Sequence, residues 1–327
     1  MSYTHLSKFE RECIHRWRIE KIKVPEMALR LARSRSTIYR ELKRNAVSVR
    51  SYEGVRAHTL YRKRIRWHRE RPKRGDKQLM NMVKKRLQKK WAPQQIAEAF
   101  RRITYRSKPS RWVSTSTIYR FIEEAKEQSG QLHTHLRRFG KHRPKRYKAG
   151  ADGRGRIVDR VGIEHRPSIV DAQLRVGDFE GDTIHGSNRK GGLATFVDRL
   201  TLYTLAFWIP DRSTASLIGA ARECFKHIPH TMRHTMTVDN GPEFRNHKEL
   251  SKAIKMDVFF AHPYASWERP INENTNGLLR QYFPKKQPLN IITQEQVQYA
   301  VNELNHRPRK KLNYRTPHQV FWQMCRT

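Results

Sequence analysis

The amino-terminal third of the chain alternates apolar and polar positions with the period of an α-helix. Leu6, Phe9, Cys13 and Trp17 recur at the spacing that places side chains on one helical face. A proline-led helical segment follows, and then a segment over residues 34–44 that is rich in Arg, Ser and Thr. Three short helices in this order predict a helix-turn-helix arrangement, in which the last helix presents its polar side chains outward.

The last of these helices contains a five-residue sequence that occurs a second time. Residues 36–40 and residues 116–120 both read Ser-Thr-Ile-Tyr-Arg, and a proline-led helix precedes each copy. We therefore predict two related helical units. The second copy begins 23 rather than 11 positions after its leading proline, with an inserted loop at residues 105–109. Its turn is therefore not the tight turn of the first unit.

From residue 176 onward the pattern changes to extended apolar segments that are typical of β-strands. The predicted strands are residues 176–184, 193–198, 202–209, 235–238 and 258–261. The predicted helices among and after them are residues 213–225, 242–255 and 269–284. The order β-β-β-α-β-α-β-α predicts a mixed α/β layer, in which helices cover a five-stranded sheet.

The helix predicted over residues 269–284 has a distinctive polar face. Pro270 suits the first helical position, and a second proline ends the segment. Glu273, Asn276 and Arg280 fall on one face, because positions three, four and seven apart line up on a helix. Taken alone, this pattern favours an amphipathic surface helix.

Two acidic positions on the predicted strands change that interpretation. Asp182 lies near the end of the first strand, and Asp239 directly follows the fourth. If these strands are neighbours, the two carboxylates can lie about 5 Å apart, where they repel each other and favour a divalent cation. Oxygen ligands suit Mg²⁺, and two such ions promote phosphodiester chemistry. Asp178 and Glu180 share the face of Asp182, so the pattern alone does not choose among the three.

Several of these acids also have simpler explanations. Asp239 begins an Asp-Asn-Gly turn, which is common turn chemistry. Asp198 can cap the end of a strand. Glu243 can be a first-turn helix acid that interacts with the helix dipole, and for this residue we favour that explanation.

Composition narrows the classes of partner. The chain has 68 Lys and Arg residues against 30 Asp and Glu, which gives a formal net charge of +38. Such a field attracts a polyanion, so nucleic acid is the expected partner. The alternatives are a ribosome-type structural protein, a membrane-surface binder and, for the first helical unit, a small bundle with a solvated basic face.

Other features of the sequence favour a cytoplasmic protein without a membrane partner. No apolar stretch reaches the ~20 residues that span a bilayer, and the first residues lack the apolar core of a signal peptide. Three scattered cysteines form no Cys-x-x-Cys pair, which fits a reducing compartment.

Polar side chains of the two repeated helices are the candidate DNA contacts. They are Arg35, Ser36, Thr37, Arg40 and Arg44 in the first unit and Ser116, Thr117 and Arg120 in the second. The basic segment over residues 55–77 is expected to contact phosphates, which positions a protein without specifying sequence. The basic, Gly-rich segment over residues 136–156 is expected to be a flexible linker.

Three motifs resemble the DDE transposases of the ribonuclease-H-like superfamily, and closely resemble the insertion-sequence-thirty family of bacterial mobile elements. The motifs are residues 177–183, 239–244 and 272–284, with further matching segments at residues 305–310 and 314–317. The 33 residues between Asp239 and Glu273 match the spacing of that family. The resemblance covers nearly the whole chain. It departs at Phe179, where the family commonly has Trp, and at Pro270-Ile271, where it commonly has Gly-Thr.

The resemblance implies that Asp182, Asp239 and Glu273 form a catalytic triad that binds metal, and so selects Asp182 over its rivals. It implies Mg²⁺ or Mn²⁺ as cofactor, with two ions, and cleavage at terminal inverted repeats followed by strand transfer into target DNA. Asn276 and Arg280 would face the DNA or the metal site. The implied partners are double-stranded DNA, both terminal repeats and target, and further copies of the chain in a dimer or larger assembly. The implied location is the bacterial cytoplasm, at the nucleoid.

We therefore expect a multidomain protein with two N-terminal all-α helix-turn-helix units and an α/β ribonuclease-H-like core. The expected domains are residues 1–70 with a basic extension, residues 71–135 as the second helix-turn-helix-like unit, residues 136–170 as a basic flexible linker, and residues 171–327 as the catalytic domain with C-terminal helices. The rival interpretations are a non-catalytic DNA-binding regulator and a basic RNA-binding structural protein. The three acids argue against the regulator.

Overall fold

The computed structural model describes residues 5–45, 52–70, 73–137, 157–187, 190–263 and 265–325. The chain divides into two compact units, residues 1–80 and 81–327, and each contains its own hydrophobic core. Most of the predicted basic linker lies outside the described residues, and the predicted four-part division stays a prediction. None of the described helices has the length and apolar character needed to cross a membrane.

The first unit is a helical domain. Its helices are α1 (Lys8–Ile19), α2 (Val24–Arg30), α3 (Arg35–Asn45) and α4 (Gly54–Glu70). Ser7 and Glu10 form a capping box that begins α1. Ile14, Met27 and Ile38 are fully buried where the first three helices meet, as the apolar pattern requires.

A buried ion pair fastens α1 to α3. Nε of Arg11 lies 2.7 Å from Oε1 of Glu41, and both side chains are less than a tenth exposed. The guanidinium also donates to the carbonyl of Leu6, while Nδ2 of Asn45 and the hydroxyl of Tyr52 donate to the Glu41 carboxylate. A buried pair is tolerated only when hydrogen bonds satisfy its remaining polar atoms, and these bonds provide them.

The second unit begins with the repeated helical segment. Its helices are α5 (Lys77–Gln88), which begins just before the boundary, α6 (Pro93–Ala99) and α7 (Thr115–Glu127). A π-helical turn (Phe100–Thr104) and a 3₁₀ turn (Pro109–Arg111) lie between α6 and α7, and the inserted loop predicted at residues 105–109 connects them. Nζ of Lys89 lies 2.7 Å from Oε1 of Glu303, and Nε2 of Gln95 donates to the carbonyl of Pro308 at 2.8 Å. These contacts fasten the second helical segment to the carboxyl-terminal part of the chain.

The rest of the second unit is built on a five-stranded sheet. The strands are β1 (Asp178–His185), β2 (Gly192–Asp198), β3 (Thr204–Ile209), β4 (Thr235–Val238) and β5 (Asp257–Phe260), in the order β3-β2-β1-β4-β5. The first three strands are antiparallel, whereas β4 and β5 run parallel to β1. The predicted mixed sheet is confirmed, and β1 and β4 are neighbours. This strand order and direction define a ribonuclease-H-like core.

Helices cover both faces of the sheet. They are α8 (Ser168–Ala172), α9 (Thr214–Phe225), α10 (His247–Ile254), α11 (Pro270–Leu279), α12 (Gln294–Asn305) and α13 (Pro317–Met324). On one face, α9, α10 and α13 pack against Phe179 and Phe196. On the other, α11 and α12 pack against Ile184 and Leu193. Apolar side chains thus alternate between two cores, as the period of a strand dictates.

Two predicted helices are shorter in the structure. The segment predicted over residues 242–255 opens with a single 3₁₀ turn (Pro242–Phe244), and its α-helix begins only at His247. The segment predicted over residues 269–284 ends as a helix at Leu279. The amides of Gln281 and Tyr282 bond carbonyls three rather than four residues back, and Pro284 disfavours helical backbone at Phe283.

Candidate active site and DNA-contacting surfaces

Two neighbouring parallel strands bring the first two predicted catalytic residues together. Asp182 lies on β1, and Asp239 directly follows β4 at the same end of the sheet. Arg269 contacts both carboxylates: Nη1 is 4.0 Å from Oδ1 of Asp182, and Nη2 is 3.3 Å from Oδ2 of Asp239. The two aspartates therefore share one cation in this structure.

The third predicted residue lies on the helix that packs against β1. Glu273 is exposed in the first turn of α11. Asn276, one turn further along the same face, donates from Nδ2 to Oδ2 of Asp182 at 2.7 Å. The hydroxyl of Thr195 on β2 donates to Oδ1 of Asn276 at 3.2 Å. The face of α11 that contains Glu273 is thus held toward Asp182, with Glu273 at its solvent-exposed end.

A second hydrogen bond holds the far end of the same helix. Nη2 of Arg280 donates to the carbonyl of His185, the last residue of β1, at 2.7 Å. Asn276 and Arg280 therefore both join α11 to the sheet. Contact of these two side chains with DNA stays a prediction.

The paired carboxylates of Asp182 and Asp239 fit a hard divalent cation, but Glu273 is not close enough to complete a three-ligand cluster with them. Within the described ranges, no three His, Cys, Asp or Glu side chains are grouped closely enough to hold a metal ion. Burial raises the pKa of Asp182 to about 6 against the opposing charge of Arg269, and Asp239 and Glu243 contribute to the rise. Two ionised carboxylates this close are stabilised by an added positive charge, and Mg²⁺ prefers oxygen ligands of this kind.

Glu180, one rival of Asp182, has a different function in the fold. Its side chain is completely buried, and Oε1 lies 2.7 Å from Nη1 of Arg199. Its other oxygen accepts the backbone N–H of Asn272 at 2.9 Å. Burial raises the pKa of Glu180, whereas this hydrogen bond and the charge of Arg199 oppose the rise. Glu180 therefore joins β1 to the start of α11.

The other strand acids also have structural partners. Asp178 is buried and accepts hydrogen bonds from Arg175 at 2.9 and 3.0 Å and from the hydroxyl of Thr235 at 2.8 Å. Asp198 accepts the N–H and the hydroxyl of Thr201 at 2.7 and 2.6 Å. Asp198 thus caps the end of β2, as its position predicts.

Glu243 is a first-turn acid, as predicted, but of a 3₁₀ turn rather than of α10, and its main partners are side chains. It lies in the 3₁₀ turn before α10 and is buried; the hydroxyl of Thr183 donates to Oε1 at 2.6 Å, and Arg212 donates to Oε2 at 3.1 Å. Burial alone would raise the pKa of Glu243, but hydrogen bonds from His185 and Thr183 and the charge of Arg212 lower it to about 2. Glu243 is therefore a fourth, ionised carboxylate beside Asp182, and its cationic partner is Arg212 rather than Arg269.

The two repeated helices have the same local structure. Ser34 caps α3 and Ser114 caps α7, and each hydroxyl accepts the N–H of the third following residue, at 3.2 and 3.1 Å. Each capping hydroxyl also bonds the hydroxyls of the next Ser and Thr. The repeated sequence therefore encodes the same helix start twice.

Exposure of the candidate DNA contacts follows the same pattern in both helices. The exposed residues are Arg35, Ser36, Arg40, Arg44, Ser116 and Arg120, and the half-buried residues are Thr37 and Thr117. Ile38 and Ile118 are fully buried at matching positions. Both polar faces are accessible, and their contact with DNA stays a prediction.

Known proteins resemble this chain over most of its length. Residues 2–45 match the family described as a helix-turn-helix domain. The chain is 38% identical over 292 residues to the transposase for insertion sequence element IS4351 of Bacteroides fragilis, a match that covers 89% of this chain and 87% of that protein. It is 36% identical over 325 residues to the transposase for element IS1086 of Cupriavidus metallidurans, with 98% and 95% covered.

The transposase InsI for element IS30C of Escherichia coli (strain K12) is 34% identical over 323 residues, which cover 97% of this chain and 83% of that protein. The chain belongs to the IS30 family of insertion-sequence transposases. The resemblance that the motifs indicated is confirmed, as is the helix-turn-helix at the amino terminus.

This transposase also contains two arginines that the sequence pattern did not indicate, one beside the candidate site and one with a structural role. Arg269 directly precedes α11, and only its place between the two aspartates distinguishes it from the many other arginines of a basic chain. Arg307 is almost fully buried and donates to Gln281 and the hydroxyl of Tyr282, both at 3.0 Å, and to the carbonyl of Lys89 at 3.4 Å. In the sequence, Arg307 is distinguished only by its place in residues 305–310, one of the segments that match the transposase family.

Proposed function

We propose that this IS30-family protein binds the terminal inverted repeats of an insertion sequence, cleaves DNA at the element ends and transfers the freed strand into target DNA. The observation that supports this most strongly is the pairing of Asp182 and Asp239 at one end of two parallel strands. The helix that contains Glu273 is hydrogen-bonded to the same strand through Asn276. Family membership supplies the class of reaction, and the net charge of +38 suits a DNA substrate.

We assign Asp182, Asp239 and Glu273 as the ligands of Mg²⁺ or Mn²⁺, with two ions in the complete site. When bound there, such ions would supply Lewis-acid stabilisation of the phosphodiester and would activate the attacking hydroxyl. Asn276 orients the Asp182 carboxylate, in the way that hydrogen bonds around a metal ligand commonly do. The displacement needs no covalent enzyme intermediate, so no serine or tyrosine nucleophile is required.

DNA recognition is assigned to the repeated helices. In α3, Arg35, Ser36, Thr37, Arg40 and Arg44 would contact the terminal inverted repeat, and in α7, Ser116, Thr117 and Arg120 would contact DNA as well. Arg side chains read guanine edges and phosphates, and short hydroxyl side chains contact phosphates. Because two element ends must be joined, the active form is assigned as a homodimer or a larger assembly.

The test compares DNA binding and DNA cleavage in the same full-length variants. Asp182→Asn, Asp239→Asn and Glu273→Gln each leave terminal-repeat affinity within about twofold in a gel shift, because the helices that bind DNA are untouched. Each abolishes Mg²⁺-dependent nicking of the labelled repeat. Glu268→Gln is the matched control, because this neighbouring carboxylate bonds His262 instead of the site. Nicking at the wild-type rate by any of the three variants would overturn the assignment.

A further inference from the structure

The guanidinium of Arg269 lies between the carboxylates of Asp182 and Asp239. Its two terminal nitrogens lie 4.0 Å from Oδ1 of Asp182 and 3.3 Å from Oδ2 of Asp239. Nη1 also donates to the carbonyl of Gly181 at 3.2 Å, and the side chain is only 12% exposed. The guanidinium therefore pairs with the same two carboxylates that a divalent cation would need.

The guanidinium is not fully satisfied in this position. Its Nε is buried, and among the described residues it has no hydrogen-bond partner. The distance to Asp182 is that of an ion pair rather than a direct hydrogen bond. A doubly charged ion with oxygen ligands interacts more strongly with paired carboxylates than a delocalised single charge does, so the arginine can be displaced.

Arg269 is also connected to the third acid through the backbone. It directly precedes α11, and its carbonyl accepts the N–H of Glu273 at 3.4 Å. The residue that bridges the two aspartates is thus the residue from which the first turn of the catalytic helix begins. Release of its side chain would leave the carboxylate pair open beside the first turn of α11.

We propose that Arg269 is a resident cation that competes with divalent metal for Asp182 and Asp239, and that metal binding requires its release. This inference rests on the proposed function, because it concerns the same carboxylates. Arg269 is a positioning residue in this account: it keeps two like charges together in the metal-free protein, and it weakens the first binding of metal. Removal of the guanidinium should therefore strengthen metal binding.

The experiment measures Mn²⁺ binding to the full-length protein without DNA, by electron paramagnetic resonance of the free ion. Arg269→Gln should lower the Kd about tenfold, because a unit positive charge about 4 Å from the carboxylates is removed. Arg269→Lys should give an intermediate value. Arg222→Gln is the matched control: it removes the same charge from a surface pair with Glu249, and it should leave the Kd within about twofold.

An unchanged or higher Kd for Mn²⁺ in Arg269→Gln would overturn the proposal that Arg269 competes with the metal. Adding Asp239→Asn to each background separates this failure from failure of the metal site. If Asp239→Asn abolishes binding but Arg269→Gln does not strengthen it, only the role of Arg269 is wrong. If Asp239→Asn leaves binding unchanged in both backgrounds, the metal assignment itself is wrong. Near-ultraviolet circular dichroism checks folding, and Arg269→Lys decides the question if the Gln variant does not fold.

Discussion

The buried carboxylate of Glu180 accepts the backbone N–H of Asn272 at 2.9 Å, and this bond joins β1 to the first turn of α11. Asp182 lies two residues beyond Glu180, and Glu273 follows Asn272 directly. A negative charge at a helix N-terminus is also favoured by the helix dipole. One hydrogen bond thus helps set the separation between two of the proposed catalytic acids.

Glu180→Gln should reduce strand cleavage about 10- to 100-fold, as loss of a supporting hydrogen bond at a metal site commonly does. The substitution removes the charge that Arg199 pairs with and leaves a weaker acceptor for Asn272. Terminal-repeat binding, measured in parallel by gel shift, should not change. Glu223→Gln is the control, since this carboxylate is exposed and pairs with Lys226. Wild-type cleavage by a folded Glu180→Gln protein would show that this contact does not position the acids.

Asn276→Ala should weaken Mn²⁺ binding about 10- to 100-fold, because Asp182 loses the amide that orients its carboxylate. The Kd for Mn²⁺ should therefore rise, whereas it should fall in Arg269→Gln. Asn274→Ala is the matched control, since its side chain is exposed and bonds Arg137 rather than Asp182. Equal Kd values for the Asn276→Ala protein and the wild type, from titration calorimetry, would contradict an orienting function.

Glu41→Ala should destabilise the first helical unit by about 3–5 kcal/mol, because it leaves the buried Arg11 charge without its partner. Glu26→Ala is the control: it removes the exposed partner of Arg30 within α2, and it should lower the free energy of unfolding by less than about 1 kcal/mol. Hydrogen exchange of amides in α1 and α3 of the full-length protein measures both changes. Similar protection in the two variants would contradict a stabilising role for the buried pair.

The ionisation of the Glu243 carboxyl should make the stability of the protein depend on pH. Its pKa falls from 4.5 to about 2 on folding, so the ionised form is favoured in the native state. Its contribution is present above the unfolded pKa and is lost as the pH falls through the folded value. The free energy of unfolding should therefore differ most between wild type and Glu243→Gln above about pH 5, and the difference should shrink toward pH 2. Urea denaturation at several pH values measures it, and a constant difference would contradict the ionised assignment.

Features that depend on local sequence were predictable. The order of the predicted elements gave the mixed sheet, and the Asp-Asn-Gly turn placed Asp239 at the end of a strand. Asp182 was predicted near the end of its strand but lies within β1, three residues before its last residue, and parallel pairing of β1 with β4 brings the two aspartates together. The repeated pentapeptide gave two helices with the same serine cap. In each case the residues that determine the structure lie within one element or one turn.

Features that depend on distant partners were not predictable. Glu180 accepts a hydrogen bond from Asn272, 92 residues away in the sequence, and Glu243 accepts one from Thr183, 60 residues away. Neither partner is visible in a pattern of apolar and polar positions, because the contact exists only after β1, β4 and α11 are assembled. The same holds for Arg269, whose importance comes from its place between two carboxylates rather than from its neighbours in sequence.

The central claim is that Asp182 and Asp239 hold divalent metal beside the DNA strand that is cut. Its most direct test is an anomalous difference map, at the manganese absorption edge, of the full-length protein bound to terminal-repeat DNA. The account predicts manganese peaks within about 2.0–2.3 Å of oxygens from both aspartates, with the Arg269 guanidinium withdrawn from them. Manganese bound elsewhere in a complex that cuts its DNA, with both aspartates still paired to Arg269, would contradict it.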